Sequence, residues 1–273
     1  MDTSTSNNAG LGADGLGARF LSDGHLVLPA EDRAALDRIR LNTAQAAAKA
    51  LGIPLPADIG AFLDTIHERV TPARLNEFRL AVLDGLLADP GFRPSYFACG
   101  RTLVETIVGN ELAMQRNIGL SIQLPQDDSS LLPLHSDTWG SECSPFEVVL
   151  WIPLVDCTRT KSMFLLPPEN DRKWRARVGE FESRGIEDLY KAVEPELTWI
   201  DINYGQVMLF TPTLMHGNRV NREPNTRWSF NMRFKGLFTP YANKKLGDYF
   251  SPVAIKPASQ IGLSFDMPGG SGE

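Results

Sequence analysis

The residues with the clearest potential for chemistry lie in the short stretch 134–139, which has the sequence Leu-His-Ser-Asp-Thr-Trp. It places His135 and Asp137 two positions apart. In an extended backbone alternate side chains point to the same side, so the imidazole and the carboxylate would face the same way. An imidazole and a carboxylate supply two ligands of a 2-His-1-carboxylate facial triad, a metal site with open positions. The stretch therefore predicts part of a metal centre whose third ligand comes from elsewhere.

His216 is the best candidate for the third ligand among the four histidines of the chain. It follows a predicted strand that Gly205 leads and that ends in a short turn, and Gly217 comes directly after it. The other two histidines are poorer candidates. His67 lies toward the polar side of a predicted amphipathic helix, and His25 follows a turn-forming Asp-Gly pair.

Each predicted ligand also has an alternative role that involves no metal. His135 could be a buried histidine beside Trp139, and Asp137 could cap the turn that follows it. His216 could bond to a backbone carbonyl in a loop. The metal interpretation depends on the three residues acting together.

A candidate receptor for a carboxylate follows His216 after eleven residues. Arg227 and Ser229 share one face of a predicted strand. A guanidinium offers a planar bidentate fork to a carboxylate, and a neighbouring hydroxyl adds a further donor. The sequence leaves other basic residues as alternatives to Arg227, namely Arg219, Arg222, Arg233 and, less favourably, Lys161.

Together these motifs resemble the Fe(II)/2-oxoglutarate-dependent dioxygenase superfamily over residues 115–235. The resemblance rests on His135-x-Asp137, on His216 81 residues later, and on Arg227-x-Ser229. The residues 205–210 before the distal histidine and 162–167 between the ligand strands also match the pattern. Within the superfamily, the chain resembles oxygenases encoded in bacterial carbohydrate and aminoglycoside-type biosynthesis clusters.

The resemblance implies both a fold and a set of roles. The fold would be a double-stranded β-helix (jelly roll) with helices packed against its major sheet. His135, Asp137 and His216 would hold Fe(II), and Arg227, favoured by its spacing and by Ser229, would bind the distal carboxylate of the co-substrate 2-oxoglutarate. Reaction with O2 would release succinate and CO2. Related halogenases place a halide where Asp137 stands, so its presence favours hydroxylation or another C–H oxidation.

Two groups of residues are candidates for contacts with 2-oxoglutarate or the substrate. Asn117, Ser121 and Gln123 share the polar face of an alternating segment, and they act in binding only if that face lines the barrel rather than solvent. The segment after Asp137 predicts a substrate rim of Trp139, Ser141, Glu142 and Phe146. The two aromatic rings could support a sugar or an aromatic ring, or they could belong to the core. Charged residues 170–184 could form a lid or an ordinary surface loop.

Composition limits the classes of partner. The chain has 273 residues, a net charge of -6 and a pI near 5.3, which argues against a nucleic-acid surface. No segment approaches the roughly 20 apolar residues of a membrane span, and the N-terminus lacks the pattern of a signal peptide. Cys99, Cys143 and Cys157 form no metal-like spacing and are expected to be buried free thiols in a reducing cytoplasm. The expected partner is a polar small molecule, such as a sugar, aminocyclitol or nucleotide-linked intermediate, and a homodimer is compatible with the sequence.

The elements that must position these residues change type along the chain. Residues 1–18 are expected to be disordered, and 19–273 are expected to form one domain. This domain comprises a helical layer near 29–110, a β core near 111–235 and a C-terminal extension over 236–273. Periodicity predicts helices over 29–51, 57–70, 72–89, 94–108 and 186–193, and strands over 117–124, 147–155, 162–166, 197–202, 206–210 and 227–234. Helices followed by short strands predict an α+β fold with a mainly β core.

Two other functions fit parts of the pattern. One is a cupin-like metal-dependent isomerase or lyase that uses the same metal ligands without a co-substrate. The Arg227-x-Ser229 pair counts against it. The other is a non-enzymatic metabolite-binding jelly roll, against which the open-sided metal site counts.

Overall fold

The computed structural model describes residues 12–140 and 143–266. The helices are α1 (Ala13–Asp23), α2 (Arg33–Leu51), α3 (Ile59–Asp64), α4 (Pro72–Leu87), α5 (Phe92–Ala98), α6 (Arg101–Val108), α7 (Pro168–Arg175), α8 (Ile186–Val193) and α9 (Pro257–Leu263). The strands are β1 (His25–Pro29), β2 (Leu112–Gln115), β3 (Leu120–Gln123), β4 (Val148–Pro153), β5 (Phe164–Leu165), β6 (Thr198–Trp199), β7 (Gln206–Phe210), β8 (His216–Gly217), β9 (Arg227–Gly236) and β10 (Phe250–Ala254). This mixed composition confirms the predicted α+β class.

Local signals explain where the early helices begin and end. The side chain of Asp32 accepts a hydrogen bond from the backbone of Ala35 and caps the start of α2. The helix ends at Leu51 and is followed by Gly52, which adopts a left-handed conformation with φ of 66°. Asp58 caps α3 in the same way. The predicted helix over 57–70 is shorter in the structure, because a 3-10 turn replaces its second half. The predicted helix over 94–108 is divided into α5 and α6.

The strands form two antiparallel sheets. The larger has the order β1-β7-β4-β9-β2-β10, and β3 also pairs with β9. The smaller has the order β6-β5-β8. The long strand β9 lies between β4 on one side and β2 and β3 on the other. β9 is therefore a central strand of the larger sheet.

Helices cover one face of β9. The ring of Trp228 meets Phe78 of α4 edge-on at 6.0 Å, and its Nε1 donates a hydrogen bond to the carbonyl of Leu63 at 2.9 Å. Phe230 packs against Phe92 of α5 at 5.1 Å. Because side chains alternate along a strand, the residues with odd numbers on β9 point away from the helices. The strand β4, apolar on both faces, is buried throughout, as its sequence predicts.

Several predicted boundaries need correction. Residues 13–18 belong to α1 rather than to a disordered tail, because Leu16 and Phe20 pack against the core. Residues 1–11, 141, 142 and 267–273 lie outside the described residues. The strands β2 and β10 were not predicted, and their pairing shows that the chain after Gly236 returns to the larger sheet. The expectation of a single domain over 19–273 stays a prediction.

The sequence also predicts the state of the cysteines and the length of the apolar segments. Cys99, Cys143 and Cys157 are free and buried, as predicted. None of the helices within residues 12–140 and 143–266 combines the length and apolarity that crossing a membrane would need.

Candidate active site

The two candidate histidine ligands lie opposite each other on neighbouring extended segments. The backbone N–H of His135 donates to the carbonyl of His216 at 2.9 Å, and the reverse hydrogen bond measures 2.8 Å. A hydrogen-bonded antiparallel pair places both side chains on one face, and the ring centroids are 4.4 Å apart. Asp137, two residues on, is fixed by a 3.1 Å hydrogen bond from its N–H to Pro212. One ligand atom from each of the three side chains lies within 4.8 Å of the others.

Backbone carbonyls set the tautomer of both imidazoles. Nδ1 of His135 lies 2.7 Å from the carbonyl of Pro133, and Nδ1 of His216 lies 2.8 Å from that of Leu214. A carbonyl can only accept, so each neutral ring carries its proton on Nδ1 and keeps the lone pair of Nε2 free. His135 Nε2 lies 3.4 Å from Oδ1 of Asp137. Both Nε2 atoms are therefore prepared to bind a metal, and the carbonyls act as the orienting partners that metal-binding histidines usually have.

Burial and neighbouring charges prepare the protonation states. Burial, together with the proximity of His135, lowers the pKa of His216 to about 4, so this ring is neutral near pH 7. Burial also lowers the pKa of His135, but hydrogen bonds to Asp137 and Pro133 outweigh it and raise the pKa overall. For Asp137, burial opposes ionisation, yet His135 and Arg233 hold the pKa far below its usual range. Two imidazoles and one carboxylate of this kind fit a divalent transition metal such as Fe(II).

Arg227 lies across the same cavity and has no counter-ion among the described residues. Its side chain donates to the carbonyl of Ser162 at 3.0 Å and to the hydroxyl of Ser121 at 2.9 Å, both neutral oxygens. The residue is only 3% exposed, and burial lowers its pKa to about 10. A buried charge is costly unless an opposite charge accompanies it. The guanidinium therefore fits an anionic group of a bound molecule.

Unsatisfied polar atoms surround Arg227. Of the residues that the structure describes, seven have a buried side-chain nitrogen or oxygen without a hydrogen-bond partner. Four of these atoms are Nε of Arg227, Oγ of Ser229, Oγ of Ser162 and Oε1 of Gln123. The strand register pairs Gln123 with Arg227 and Ser121 with Ser229. Nε of Arg227 and the two serine hydroxyls can donate to a carboxylate, whereas Oε1 of Gln123 can only accept. The three unpaired donors fit an anion bound beside Arg227.

A cavity of about 260 Å³ joins the two groups. It contains the three candidate metal ligands at one part of its wall and Arg227 at another. A small dicarboxylate held by Arg227 would thus share one cavity with a metal. The other lining residues are Gln115, Ser121, Leu132, Val149, Trp151, Met163, Phe210, Gly217, Asn218, Asn231, Arg233 and Tyr249.

Some of the remaining predicted contact residues lie at the cavity and others do not. Ser121 lines the cavity, and Gln123 is fully buried behind it, with Nε2 donating to the carbonyl of Arg219 at 2.6 Å. Asn117 is exposed, precedes the start of β3 and does not line the cavity, which is the placement for which no binding role was expected. Trp139 and Phe146 are 40% and 53% exposed and do not line the cavity. The predicted rim residues Ser141 and Glu142 lie outside the described residues.

Three of the alternatives to Arg227 lie elsewhere. Arg219 forms two contacts of 2.7 and 2.9 Å with the carboxylate of Glu187 on α8. Lys161 is paired with Asp64 at 2.6 Å. Arg222 is exposed and does not line the cavity. The structure thus leaves Arg233 as the other arginine of the site.

Four polar residues of the cavity wall were not predicted as contacts. Alternation on β9 could have identified Asn231, because it shares a face with Arg227 and with Arg233, which the sequence offered as an alternative receptor. The other three come from separate parts of the chain, and no local pattern marks them. The four residues are Gln115, Asn218, Asn231 and Tyr249.

A support for His216 was also missed. Asp171 of α7 is 1% exposed, and its Oδ1 accepts a hydrogen bond of 2.8 Å from the backbone N–H of Met215. The same carboxylate forms an ion pair with Arg175. Within the segment 170–184, which was interpreted as a lid or a surface loop, Asp171 on α7 thus holds the residue directly before His216. The lid interpretation stays a prediction.

Solved structures of other proteins resemble the fold of this chain. No family model matches the sequence, and no curated protein sequence matches it. The non-haem monooxygenase ThoJ in complex with nickel has a similar structure, with 16% identity, a TM-score of 0.52, and coverage of 88% of this chain and 84% of that chain. HygX from Streptomyces hygroscopicus, with nickel and 2-oxoglutarate bound, is also similar. It has 16% identity and a TM-score of 0.51, and the match covers 82% of this chain and 87% of HygX. AviO1 from Streptomyces viridochromogenes has 14% identity and a TM-score of 0.50, and the match covers 86% of this chain and 100% of AviO1. At such identities the likeness shows a shared fold.

Proposed function

We propose that the chain is an Fe(II)- and 2-oxoglutarate-dependent oxygenase that hydroxylates a C–H bond of a polar small molecule and releases succinate and CO2. One observation carries the proposal: His135, Asp137 and His216 open into the same cavity as the buried guanidinium of Arg227, which has no counter-ion among the described residues. We also propose that the two antiparallel sheets form a jelly roll. The shared fold of ThoJ and of HygX supports both proposals.

The residues divide the work of binding. His135, Asp137 and His216 would hold the metal, and Arg227, with the hydroxyls of Ser121 and Ser229, would hold the distal carboxylate of 2-oxoglutarate. When bound, the metal and 2-oxoglutarate supply the oxidising chemistry by activating O2 with oxidative decarboxylation.

The apolar part of the cavity wall has a separate task. Val149, Trp151, Met163 and Phe210 reach the cavity from the strands and from the loop before β5. Their side chains exclude water and narrow the orientations that a small molecule can adopt. Such positioning is a large part of what a protein contributes to a metal-dependent oxidation.

The substrate would meet a polar, hydrogen-bonding surface. Gln115, Asn218, Asn231 and Tyr249 bring amide and phenol groups to the cavity. These groups suit hydroxyls and amines, so we propose a sugar or an aminocyclitol intermediate as the substrate class. An isomerase, a lyase or a simple binding protein would not need the unpaired cation at Arg227, which disfavours these alternatives.

A spectroscopic experiment tests the proposal. Under anaerobic conditions, protein mixed with Fe(II) and 2-oxoglutarate should develop a weak visible charge-transfer band, because the 2-oxo acid chelates the metal. His135→Ala and His216→Ala should lose the band, whereas His25→Ala, a histidine outside the cavity, should keep it. If folded wild-type protein shows no band, the proposed function is wrong.

A further inference from the structure

Arg233 connects a candidate metal ligand to a second buried carboxylate. One terminal nitrogen lies 2.8 Å from Oδ2 of Asp137, and the other lies 3.3 Å from Oε2 of Glu147. The side chains of Arg233, Asp137 and Glu147 are 16%, 14% and 1% exposed. The cation is thus held between two carboxylates at the edge of the cavity, and neither contact is a flexible surface ion pair.

The contact divides the two oxygens of Asp137 between different partners. Arg233 donates to Oδ2, which also lies 4.0 Å from Nε2 of His216, while Oδ1 lies 3.4 Å from Nε2 of His135 and accepts nothing from Arg233. A guanidinium and a metal ion cannot share one oxygen without repulsion between the two positive charges. Oδ1 is therefore the oxygen that remains for a metal.

The carboxylate of Glu147 is itself held in place and fixes the position of the Arg233 guanidinium. Its Oε1 accepts a 2.9 Å hydrogen bond from the backbone of Ser144, and Oε2 receives Arg233. The planar guanidinium can reach both carboxylates because its terminal nitrogens point in different directions. The main chain of Arg233 is held as well, since its N–H donates to the side chain of Gln115 at 3.2 Å.

We propose that Arg233 is a positioning residue of the metal centre, which holds Oδ2 of Asp137 so that the carboxylate binds the metal through Oδ1 alone. Glu147 orients the guanidinium for this task. The inference rests on the proposed function, because it needs the metal site. Three single-atom ligands leave three positions of an octahedral metal open, whereas a chelating Asp137 would take one of the positions that 2-oxoglutarate and O2 require.

Cobalt(II) absorption spectra of the anaerobic protein test this role without any turnover. The bands in the visible region respond to the number of ligand atoms on Co(II). Arg233→Met keeps a long side chain but donates no hydrogen bond, so Asp137 becomes free to chelate and the bands should change in position and intensity. Glu147→Gln should change them in the same direction by a smaller amount. The matched control Arg222→Met removes an exposed arginine and should leave the spectrum unchanged.

The outcomes separate this inference from the proposed function. If the wild-type protein binds no Co(II), the metal site fails and the inference fails with it. If it binds Co(II) and folded Arg233→Met has the wild-type spectrum, the positioning role alone is overturned. Should Arg233→Met not fold, the double variant Arg233→Met/Glu147→Gln removes the buried carboxylate's charge together with its partner and gives the same test.

Discussion

Arg227 donates a hydrogen bond of 2.9 Å to the hydroxyl of Ser121 on the neighbouring strand, and no described carboxylate neutralises its charge. Both residues face the cavity from β9 and β3. The pairing holds the guanidinium in a fixed orientation without using its charge. It thereby prepares a receptor for an anion, at the cost of burying a cation.

The first prediction concerns the receptor itself. Arg227→Ala should weaken 2-oxoglutarate binding by about 10- to 100-fold, the range expected when a hydrogen-bonded charge partner is lost. Calorimetry with Mn(II)-loaded protein measures the affinity, and Arg222→Ala serves as the control. If Arg233→Ala weakens 2-oxoglutarate binding more than Arg227→Ala does, the assignment of the carboxylate receptor to Arg227 is incorrect.

Metal affinity should fall as the pH is lowered. A proton on Nε2 competes with the metal, and the raised pKa of His135 means that this ring gains its proton at a pH above its ordinary value near 6.5. His216, with a pKa of about 4, stays neutral through this range. Titrations with Co(II) at pH 8, 7 and 6 should therefore show a decreasing affinity dominated by one proton. An affinity that does not change between pH 8 and 6 would contradict the electrostatic description of His135.

The support beneath His216 makes a third prediction. Asp171→Ala leaves the N–H of Met215 without its acceptor in a buried position, which costs about 1–3 kcal/mol of the free energy of unfolding. Thermal unfolding and Co(II) affinity should both decrease, while Asp171→Asn, which keeps an acceptor oxygen, should lose less. Asp188→Ala removes an exposed ion pair with Arg184 and is the matched control. Equal effects at 171 and 188 would show that the buried contact is unimportant.

Much of the site could be predicted because its key spacing is local. Side chains two residues apart in an extended segment point to the same side of the backbone. His135 and Asp137 lie together in the structure, as this rule predicts. Alternation likewise put Arg227 and Ser229 on one face of β9. The same rule placed the alternative candidate Arg233 on that face, and Arg233 does line the cavity.

The missed features depend on contacts between distant parts of the chain. The pairing of β2 with β10 joins segments more than 130 residues apart, and neither segment has a strong pattern of its own. Asn117 precedes β3, which begins at Leu120, and the chain between them approaches β9 so closely at Gly119 that an added Cβ would lie 2.3 Å from the backbone oxygen of Asn231. Residues 13–18 lie in α1, where Leu16 packs against the core. Each of these cases includes a contact with a distant segment that no local pattern indicates.

The last prediction concerns the glycine after the distal histidine. A Cβ on Gly217 would lie 2.7 Å from the carbonyl oxygen of Leu132 and 3.0 Å from that of Pro133. The backbone cannot move aside easily, because Gly217 pairs with Phe164 in the smaller sheet. Gly217→Ala should therefore lower the free energy of unfolding by about 1–3 kcal/mol and displace the adjacent His216. Thermal unfolding and Co(II) titration measure the two effects.

Gly140→Ala, where nothing lies within 4 Å of the added Cβ, should change neither the free energy of unfolding nor the Co(II) affinity. Wild-type stability and metal affinity in folded Gly217→Ala would show that this strand can adjust and that the close approach does not fix the ligand.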